Sequence, residues 1–269
     1  FVRLSGERGG DTSSSSRSFG TQTWRKKLAI IAAGVAMNCV AAWMFLSLTL
    51  MIGAPPGILV TDVLAGSSAA TAGIRAGDFI LGYENGAVLA AGAKESGGQE
   101  MTLQIVRGES PEYIAVVPNP HPPAGQGALG ISFVETGFER VGPVTALGRG
   151  FLETARGFGA IAAGIAGAIA AIFTDRQASE LVGPIGIIAI ARQAGALGGG
   201  YLFHLIGLIS LNLAVINAIP FPALDGGRAL FIFIERIKGS PLPVRIEQWA
   251  NGAGFALLLL LMVMITVKD

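Results

Sequence analysis

Residues 210–228 carry the groups and the backbone interruptions that a reaction centre inside a membrane would need. The segment begins as an apolar helix pattern and then breaks; its distinctive residues are Asn212, Asn217, Pro220, Pro222 and Asp225. Proline lacks a backbone donor and clashes with the preceding turn, so the proline pair should end or unwind the helix. In a membrane, unwound backbone is tolerated only where protein or a water-filled cavity covers it. An ionisable group beside such a break is by default a functional-site candidate.

The stretch resembles a known motif. Gly226 and Gly227 follow the carboxylate, where glycine permits unusual or close backbone contacts. The pattern is similar to the Asn-x-x-Pro-x-Pro-x-Leu-Asp-Gly-Gly motif of the site-two protease family of intramembrane zinc metalloproteases, in the bacterial branch typified by the regulator of sigma-E protease. That resemblance makes Asp225 the third protein ligand of a catalytic Zn²⁺ and places Asn217 beside the scissile peptide bond. It implies substrate contacts for Asn212, Asn217, Pro220, Pro222, Gly226 and Gly227.

The family's other two zinc ligands are the histidines of a His-Glu-x-x-His helix, whose glutamate is the general base. This sequence has only His121 and His204, and neither has a partner four residues away. Twenty helical residues put His204 about 30 Å from Asp225, too far to share a metal. A catalytic zinc uses three protein ligands and an open position for water. We therefore interpret the chain, which begins at Phe1, as a fragment whose zinc-binding helix lies upstream, and expect residues 1–269 alone to be inactive; a relative without zinc is the alternative.

Composition indicates a membrane protein. Hydrophobic residues make up 51% of the chain, charged residues 14%, and mean hydropathy is +0.59, outside the range that is usual for water-soluble domains. The net charge of +1 argues against a nucleic-acid partner, which would require a basic face. The single cysteine, Cys39, excludes a disulfide within the chain.

Three segments are long and apolar enough to cross a bilayer: 28–52, about 201–219 and about 250–267. Arg25, Lys26 and Lys27 precede the first of them, so the positive-inside rule places that end in the cytoplasm. Within this helix, Gly34 and Asn38 match the family's Gly-Pro-x-x-Asn pattern, with valine in place of the proline. Asn38 is either a substrate contact or a helix–helix hydrogen bond.

Residues 57–118 change to short β-rich runs separated by turn residues, which predicts a small soluble domain. The segment from Ser67 to Ile80, followed by Asn85-Gly86, resembles the signature of bacterial PDZ domains, and we expect Asn85-Gly86 to form a hairpin turn. PDZ domains bind an extended peptide at a sheet edge. The candidate peptide-binding residues are Gly73, Ile74, Gly77 and Asp78; a spacer that only filters access by size is the alternative.

Residues 119–200 are predicted to hold a linker, a strand at Gly127–Ile131 and membrane-surface helices. The apolar run Gly159–Phe173 has only about 15 residues, which is typical of an interfacial helix rather than a span. If it crossed, the basic loop after Asp225 would lie outside, against the positive-inside rule. The Gly-Pro-Ile-Gly sequence at 183–186 is similar to another pattern of the family, which implies a turn into a short helix.

The expected fold is therefore a mainly α membrane protein with three transmembrane helices in this fragment and an inserted α+β PDZ-like domain. The predicted segments are a cytoplasmic hairpin end and loop at 1–27, a transmembrane helix at 28–56, the PDZ-like domain at 57–118, the mixed segment at 119–200 and a core transmembrane pair at 201–269. The expected location is the bacterial inner membrane, with the PDZ-like domain on the outer side and Asp225 near the cytoplasmic side.

The resemblance implies a zinc metalloendopeptidase that cleaves the transmembrane segment of a single-pass, anti-sigma-factor-like protein within the lipid bilayer. Two other readings stay open. One is a non-catalytic membrane scaffold that displays the PDZ-like domain. The other is a cation-coupled transporter, since unwound helices with one aspartate also build cation sites, although transporters usually carry paired repeats.

Overall fold

The computed structural model describes residues 22–108, 110–123, 125–174 and 184–268. The predicted strand end and loop within residues 1–18 lie outside these ranges. Over the described ranges the helices are α1 Trp24–Ile52, α2 Ser68–Ala72, α3 Gly86–Glu95, α4 Pro143–Thr174, α5 Pro184–Leu197, α6 Gly199–Ala218, α7 Asp225–Lys238 and α8 Val244–Lys268. The strands are β1 Ala54–Val63, β2 Phe79–Leu81, β3 Met101–Arg107, β4 Ser110–Val116 and β5 Ile131–Phe138.

Three helices are long and apolar enough to cross a membrane: Trp24–Ile52, Gly199–Ala218 and Val244–Met264. They overlap the three predicted spans, which confirms the predicted mainly helical chain with three candidate membrane-spanning helices. The match follows from physics that is local to the sequence, because about 20 apolar residues in a helix cover the hydrocarbon core whatever they pack against.

Two further helices occupy the segment before α6. α4 is one continuous helix of 32 residues, longer than the apolar run within it. α5 begins at Pro184, and this confirms the helix predicted after the Gly-Pro step, where proline suits the first helical turn. The location of α4 along the outer face stays a prediction.

The strands form one antiparallel sheet in the order β4-β3-β2-β1-β5. Its core holds the fully buried side chains of Ile58, Ile80, Leu103 and Ile105, with Leu89 of α3 packed against them. The strand expected at Gly127–Ile131 was misplaced: it begins at Ile131, and the preceding residues form a turn in which Gly130 has a φ of +70°. Because β5 pairs with β1 rather than with its neighbour in sequence, its position depended on a long-range contact.

Asn85-Gly86 does not form the predicted hairpin turn. Asn85 is the N-cap of α3, and its side-chain oxygen accepts the Val88 N–H at 2.9 Å. Asparagine serves both structures, since its short side chain can bond to a nearby backbone amide in a turn or at a helix start.

The chain divides into two compact units. One comprises Phe1–Met44, Phe151–Ile185 and Gly207–Asp269; the other comprises Phe45–Gly150 and Gly186–Ile206. In the second unit the sheet is fastened to the first turns of α6. The Tyr201 hydroxyl donates to the Pro55 carbonyl at 2.6 Å and lies 3.2 Å from the Thr136 hydroxyl, so one side chain bridges β1, β5 and α6.

Candidate metal and substrate site around Asp225

The predicted helix break is present between α6 and α7. α6 ends at Ala218, and the following turn is held by the Phe221 N–H, which donates to the Ile219 carbonyl at 2.7 Å. The Leu224 N–H then donates to the Phe221 carbonyl at 3.1 Å. The proline pair thus converts an apolar helix into a short run of turns immediately before Asp225.

The second of these turns has an unusual backbone. Ala223 has a φ of +75° and is the one non-glycine residue with positive φ in the described part of the chain. This turn has the features of type II: the Leu224 N–H donates to the Phe221 carbonyl, proline is at the second position and φ is positive at the third. Alanine is disfavoured at that third position, where glycine or asparagine is normally found.

The two glycines allow the start of α7 to pack against this broken segment. A Cβ added to Gly226 would lie 2.6 Å from the Ile219 carbonyl carbon, and one added to Gly227 would lie 2.6 Å from the Phe221 carbonyl carbon. Neither separation is possible for real atoms without backbone movement. The glycine pair therefore fixes how closely α7 approaches the end of α6.

Asp225 is the first residue of α7 and is half-buried. One carboxylate oxygen, Oδ2, lies 3.5 Å from the position that a Cβ on Gly34 of α1 would take. Within the described residues this carboxylate has no ion pair or hydrogen-bond partner. A helix N-terminus interacts favourably with negative charge, so the first residue of α7 is a suitable position for a carboxylate.

The three asparagine side chains predicted to contact the substrate differ in burial and in the direction they face. Asn38 is half-buried on α1, one helical turn beyond Gly34, so both residues share the face that meets Asp225. On α6, Asn217 is half-buried and adjacent to the break, whereas Asn212 is exposed. Five residues correspond to about 140° of rotation around a helix, so Asn212 and Asn217 point to different sides of α6.

Two residues of α8 also contact this turn, although no sequence pattern around Asp225 predicts them. The Asn251 side-chain oxygen accepts the Ala223 N–H at 2.9 Å. A Cβ added to Gly254 would lie 2.6 Å from the Pro222 carbonyl oxygen. The available signal was a polar Asn-Gly-x-Gly patch at 251–254, which interrupts an otherwise apolar span.

Sequence comparisons identify the family. The model of peptidase family M50 matches residues 1–261. This chain belongs to peptidase family M50. Among its M50 relatives, the regulator of sigma-W protease RasP of Bacillus subtilis is 29% identical over 94% of this chain and 61% of its own length.

Two other relatives are also named metalloproteases. The zinc metalloprotease RasP of Shouchella clausii is 31% identical over 94% of this chain and 61% of its own length. The membrane metalloprotease ARASP, chloroplastic, of Arabidopsis thaliana is 28% identical over 89% of this chain and 58% of its own length. The chain thus spans about three fifths of the length of these three M50 relatives.

Asp225 is the one zinc ligand predicted within this M50 chain. The described residues contain no cluster of three His, Cys, Asp or Glu side chains that could hold a metal ion. Asp225 has the right chemistry for one ligand position, since carboxylate oxygen is a normal zinc ligand. His204 instead packs on Phe138 with a ring-centroid distance of 4.4 Å, and exposed His121 sits with Nδ1 2.7 Å from the Pro120 carbonyl oxygen.

The four residues proposed to bind a peptide lie around a turn in the second compact unit, which contains the β-sheet and is called the sheet unit below. Asp78 is 1% exposed and accepts hydrogen bonds from Arg107 Nε at 2.8 Å, Arg107 Nη2 at 2.7 Å and the Arg75 N–H at 2.8 Å. The hydrogen bond to Asp78 raises the pKa of Arg107. Ile74 is buried, the Gly73 carbonyl accepts from Arg107 Nη2 at 2.8 Å, and the Gly77 carbonyl accepts from Gln193. The structure thus shows a structural role for this turn, and the peptide-binding role stays a prediction.

Proposed function

We propose that the full-length protein is an intramembrane zinc metalloendopeptidase and that Asp225 is one of its zinc ligands. The observation that carries the proposal is the Asp225 carboxylate, which has no partner among the described residues, follows the break after the candidate span α6 and faces a glycine of the candidate span α1. Membership of the M50 family and the zinc metalloprotease names of its relatives support the same conclusion.

The metal would complete its coordination with two histidines from a His-Glu-x-x-His helix outside residues 1–269. A bound zinc supplies a nucleophilic water whose pKa falls towards 7. This chain's contribution is to present Asp225 at a defined position. Gly226 and Gly227 set that position through close backbone packing, and Gly34 leaves room beside the carboxylate.

The helix break also suits the substrate. A transmembrane helix must unwind into an extended strand before a peptide bond can be attacked, and main-chain hydrogen bonds then hold such a strand. Asn217 is adjacent to the break and Asn38 lies on the Gly34 face of α1, and we assign both to substrate binding. Asn212 is the weaker candidate, because it lies on a different side of α6.

The substrate class follows from the resemblance and from one relative's name. We propose a single-pass membrane protein that regulates a sigma factor; in support, the Bacillus subtilis relative is called regulator of sigma-W protease. The proposed location is the bacterial inner membrane. Arg25, Lys26 and Lys27 favour a cytoplasmic start for α1, which puts the sheet outside.

We propose that the sheet unit is PDZ-like and recognises an extended peptide, or filters substrates by size. β5 is an edge strand on which Phe133 and Val134 are 39% and 52% exposed. Peptides add to exposed sheet edges in PDZ domains, so β5 is a better candidate docking edge than the buried turn at Ile74 and Asp78.

The full-length protein tests the proposal directly. Purified in detergent, it should cleave a transmembrane peptide, contain one zinc by elemental analysis, and lose both properties after chelation. Residues 1–269 alone should cleave nothing and retain less than one zinc per chain, because one carboxylate is not a zinc site. A full-length protein that holds one zinc without cleaving would favour the scaffold. Cation-dependent solute flux without cleavage would favour the transporter.

A further inference from the structure

The turn before Asp225 has a backbone that its own sequence does not favour. The peptide group between Pro222 and Ala223 is the central peptide of the type II turn, and alanine occupies the position that requires positive φ. A type I turn would suit alanine better and would reverse the direction of this peptide group. Something outside the turn must therefore select the observed form.

α8 engages both ends of that peptide group. The Asn251 side-chain oxygen accepts the Ala223 N–H at 2.9 Å, and the Pro222 carbonyl oxygen lies where a Cβ on Gly254 would be only 2.6 Å away. Asn251 and Gly254 are three residues apart, so they share one face of the helix. If the peptide group reversed, its N–H would lose Asn251 and its oxygen would no longer lie against Gly254.

We propose that Asn251 is a positioning residue of the protease: it selects the type II form of the Phe221–Leu224 turn and thereby sets the position of Asp225, the next residue. The inference rests on the proposed function only for its effect on cleavage. The selection of the turn form is a property of this chain in any function.

The first test needs neither metal nor activity. Hydrogen exchange of the Ala223 amide, followed by mass spectrometry on peptides that cover 221–227, should speed up about tenfold in Asn251→Ala, because the amide loses its acceptor. Gln248→Ala changes an exposed residue one turn earlier on α8 and should leave the exchange unchanged. Equal exchange in wild type and Asn251→Ala would overturn the proposal.

The second test separates positioning from general damage. In the full-length protein Asn251→Ala should lower kcat several-fold with little change in KM. Ala223→Gly should restore most of that loss in the double variant, because glycine adopts positive φ without help. Failure of rescue would show that Asn251 does not act through the turn. If wild type itself does not cleave, the proposed function fails while the exchange result still stands.

A different observation carries an independent inference about α7. Four of its apolar side chains recur at the i, i+3, i+4, i+7 spacing of one helical face, and these four are exposed: Leu230 at 39%, Phe233 at 56%, Ile234 at 38% and Ile237 at 73%. The helix lies between the candidate spans α6 and α8, so both of its ends are tied to a membrane. An exposed apolar stripe of this kind needs an apolar partner.

Arg236 of the same helix belongs to a cluster of two arginines around one tryptophan. The Arg25 and Arg236 guanidinium carbons lie 5.3 Å and 5.8 Å from the ring centroid of Trp24, within cation–π range of one ring. Tryptophan and basic side chains together are typical of the membrane–water interface. We propose that α7 lies in the plane of this interface, with its stripe among the acyl chains and the Trp24–Arg25–Arg236 cluster bound to anionic phospholipid headgroups.

Spin labels measure the depth of α7 directly. In a Cys39→Ala background and vesicles of phosphatidylglycerol and phosphatidylcholine, a label at Ile237→Cys should collide with oxygen more than with a nickel chelate. A label at Lys238→Cys should show the reverse. Equal access of the chelate to both labels would place α7 in water and overturn the proposal.

The headgroup site has its own test. Arg236→Ala should retain several-fold less phosphatidylglycerol in native mass spectrometry, whereas Arg245→Ala, an exposed cation outside the cluster, should retain as much as wild type. Equal retention in both variants would overturn the headgroup assignment.

Discussion

Asp225 Oδ2 lies 3.5 Å from the point where a side chain on Gly34 would begin. This relationship joins two spans that are far apart in sequence, since Gly34 lies in α1 and Asp225 follows α6. Because Gly34 has no side chain, no atoms of this residue extend towards the carboxylate. We propose this side of Asp225 as the position of the metal or the substrate strand.

The loss of zinc and of cleavage caused by a Gly34 substitution should therefore increase with the size of the new side chain. Gly34→Ala places its methyl group in ordinary contact with Asp225 and should reduce zinc content and cleavage of the full-length protein only slightly. Gly34→Val adds atoms that must displace the carboxylate and should abolish stoichiometric zinc. Elemental analysis of both purified variants measures this; equal zinc in Gly34→Val and wild type would contradict the proximity.

Asp225→Asn should abolish cleavage and weaken zinc binding while the protein still inserts, because the amide is a poor metal ligand. Normal turnover in Asp225→Asn would contradict the assignment of Asp225 as a metal ligand.

Asn217→Ala should lower cleavage about ten- to a hundred-fold, the loss expected for one or two transition-state hydrogen bonds. Asn212→Ala is the matched control on the other side of α6 and should have the smaller effect.

Gly227→Ala should lower the stability of this chain by about 2 kcal/mol or more, since the new methyl group would overlap backbone atoms. Its expected readout is a lower unfolding temperature in detergent. Gly252→Ala is a control in a helix, with no atom within 4 Å of the added group; it should be neutral or stabilising by up to about 1 kcal/mol. Equal unfolding temperatures for the two variants would contradict the close packing.

Arg107→Ala should destabilise the sheet unit by about 3 kcal/mol, because it leaves the buried Asp78 carboxylate without its ionic partner. The raised pKa of Arg107 means that its stabilising contribution is present at every pH below its ordinary pKa and is lost only above the raised value. The difference in unfolding free energy between wild type and Arg107→Ala should therefore stay constant between neutral and moderately alkaline pH. If the difference in unfolding free energy became smaller in that pH range, the raised pKa of Arg107 would be contradicted.

Sidedness can be measured in cells with single cysteines in a Cys39→Ala background. A cysteine at Val88, which is 44% exposed in the sheet unit, should react with an impermeant reagent in intact cells. A cysteine at Lys238 should react only after permeabilisation. Labelling of Lys238→Cys in intact cells would mean that α4 crosses the membrane.

Sequence by itself determined the features that depend on local chemistry. The three spans follow from runs of apolar residues, the helix break follows from Pro220 and Pro222, and the family follows from the residues around Asp225. These signals need no knowledge of distant contacts, because bilayer thickness and the missing proline donor act on one segment at a time.

Only the tertiary structure decided which distant residues meet that segment. Asn251 and Gly254 belong to the site because α8 approaches the Pro222–Ala223 peptide, and no pattern near Asp225 indicates this contact. β5 likewise joins the sheet through pairing with β1, about 75 residues earlier in the chain. Asn85 could serve a turn or a helix cap equally well until the packing of α3 on the sheet selected the cap. In each case several local conformations differ little in free energy, and burial against a distant element selects one.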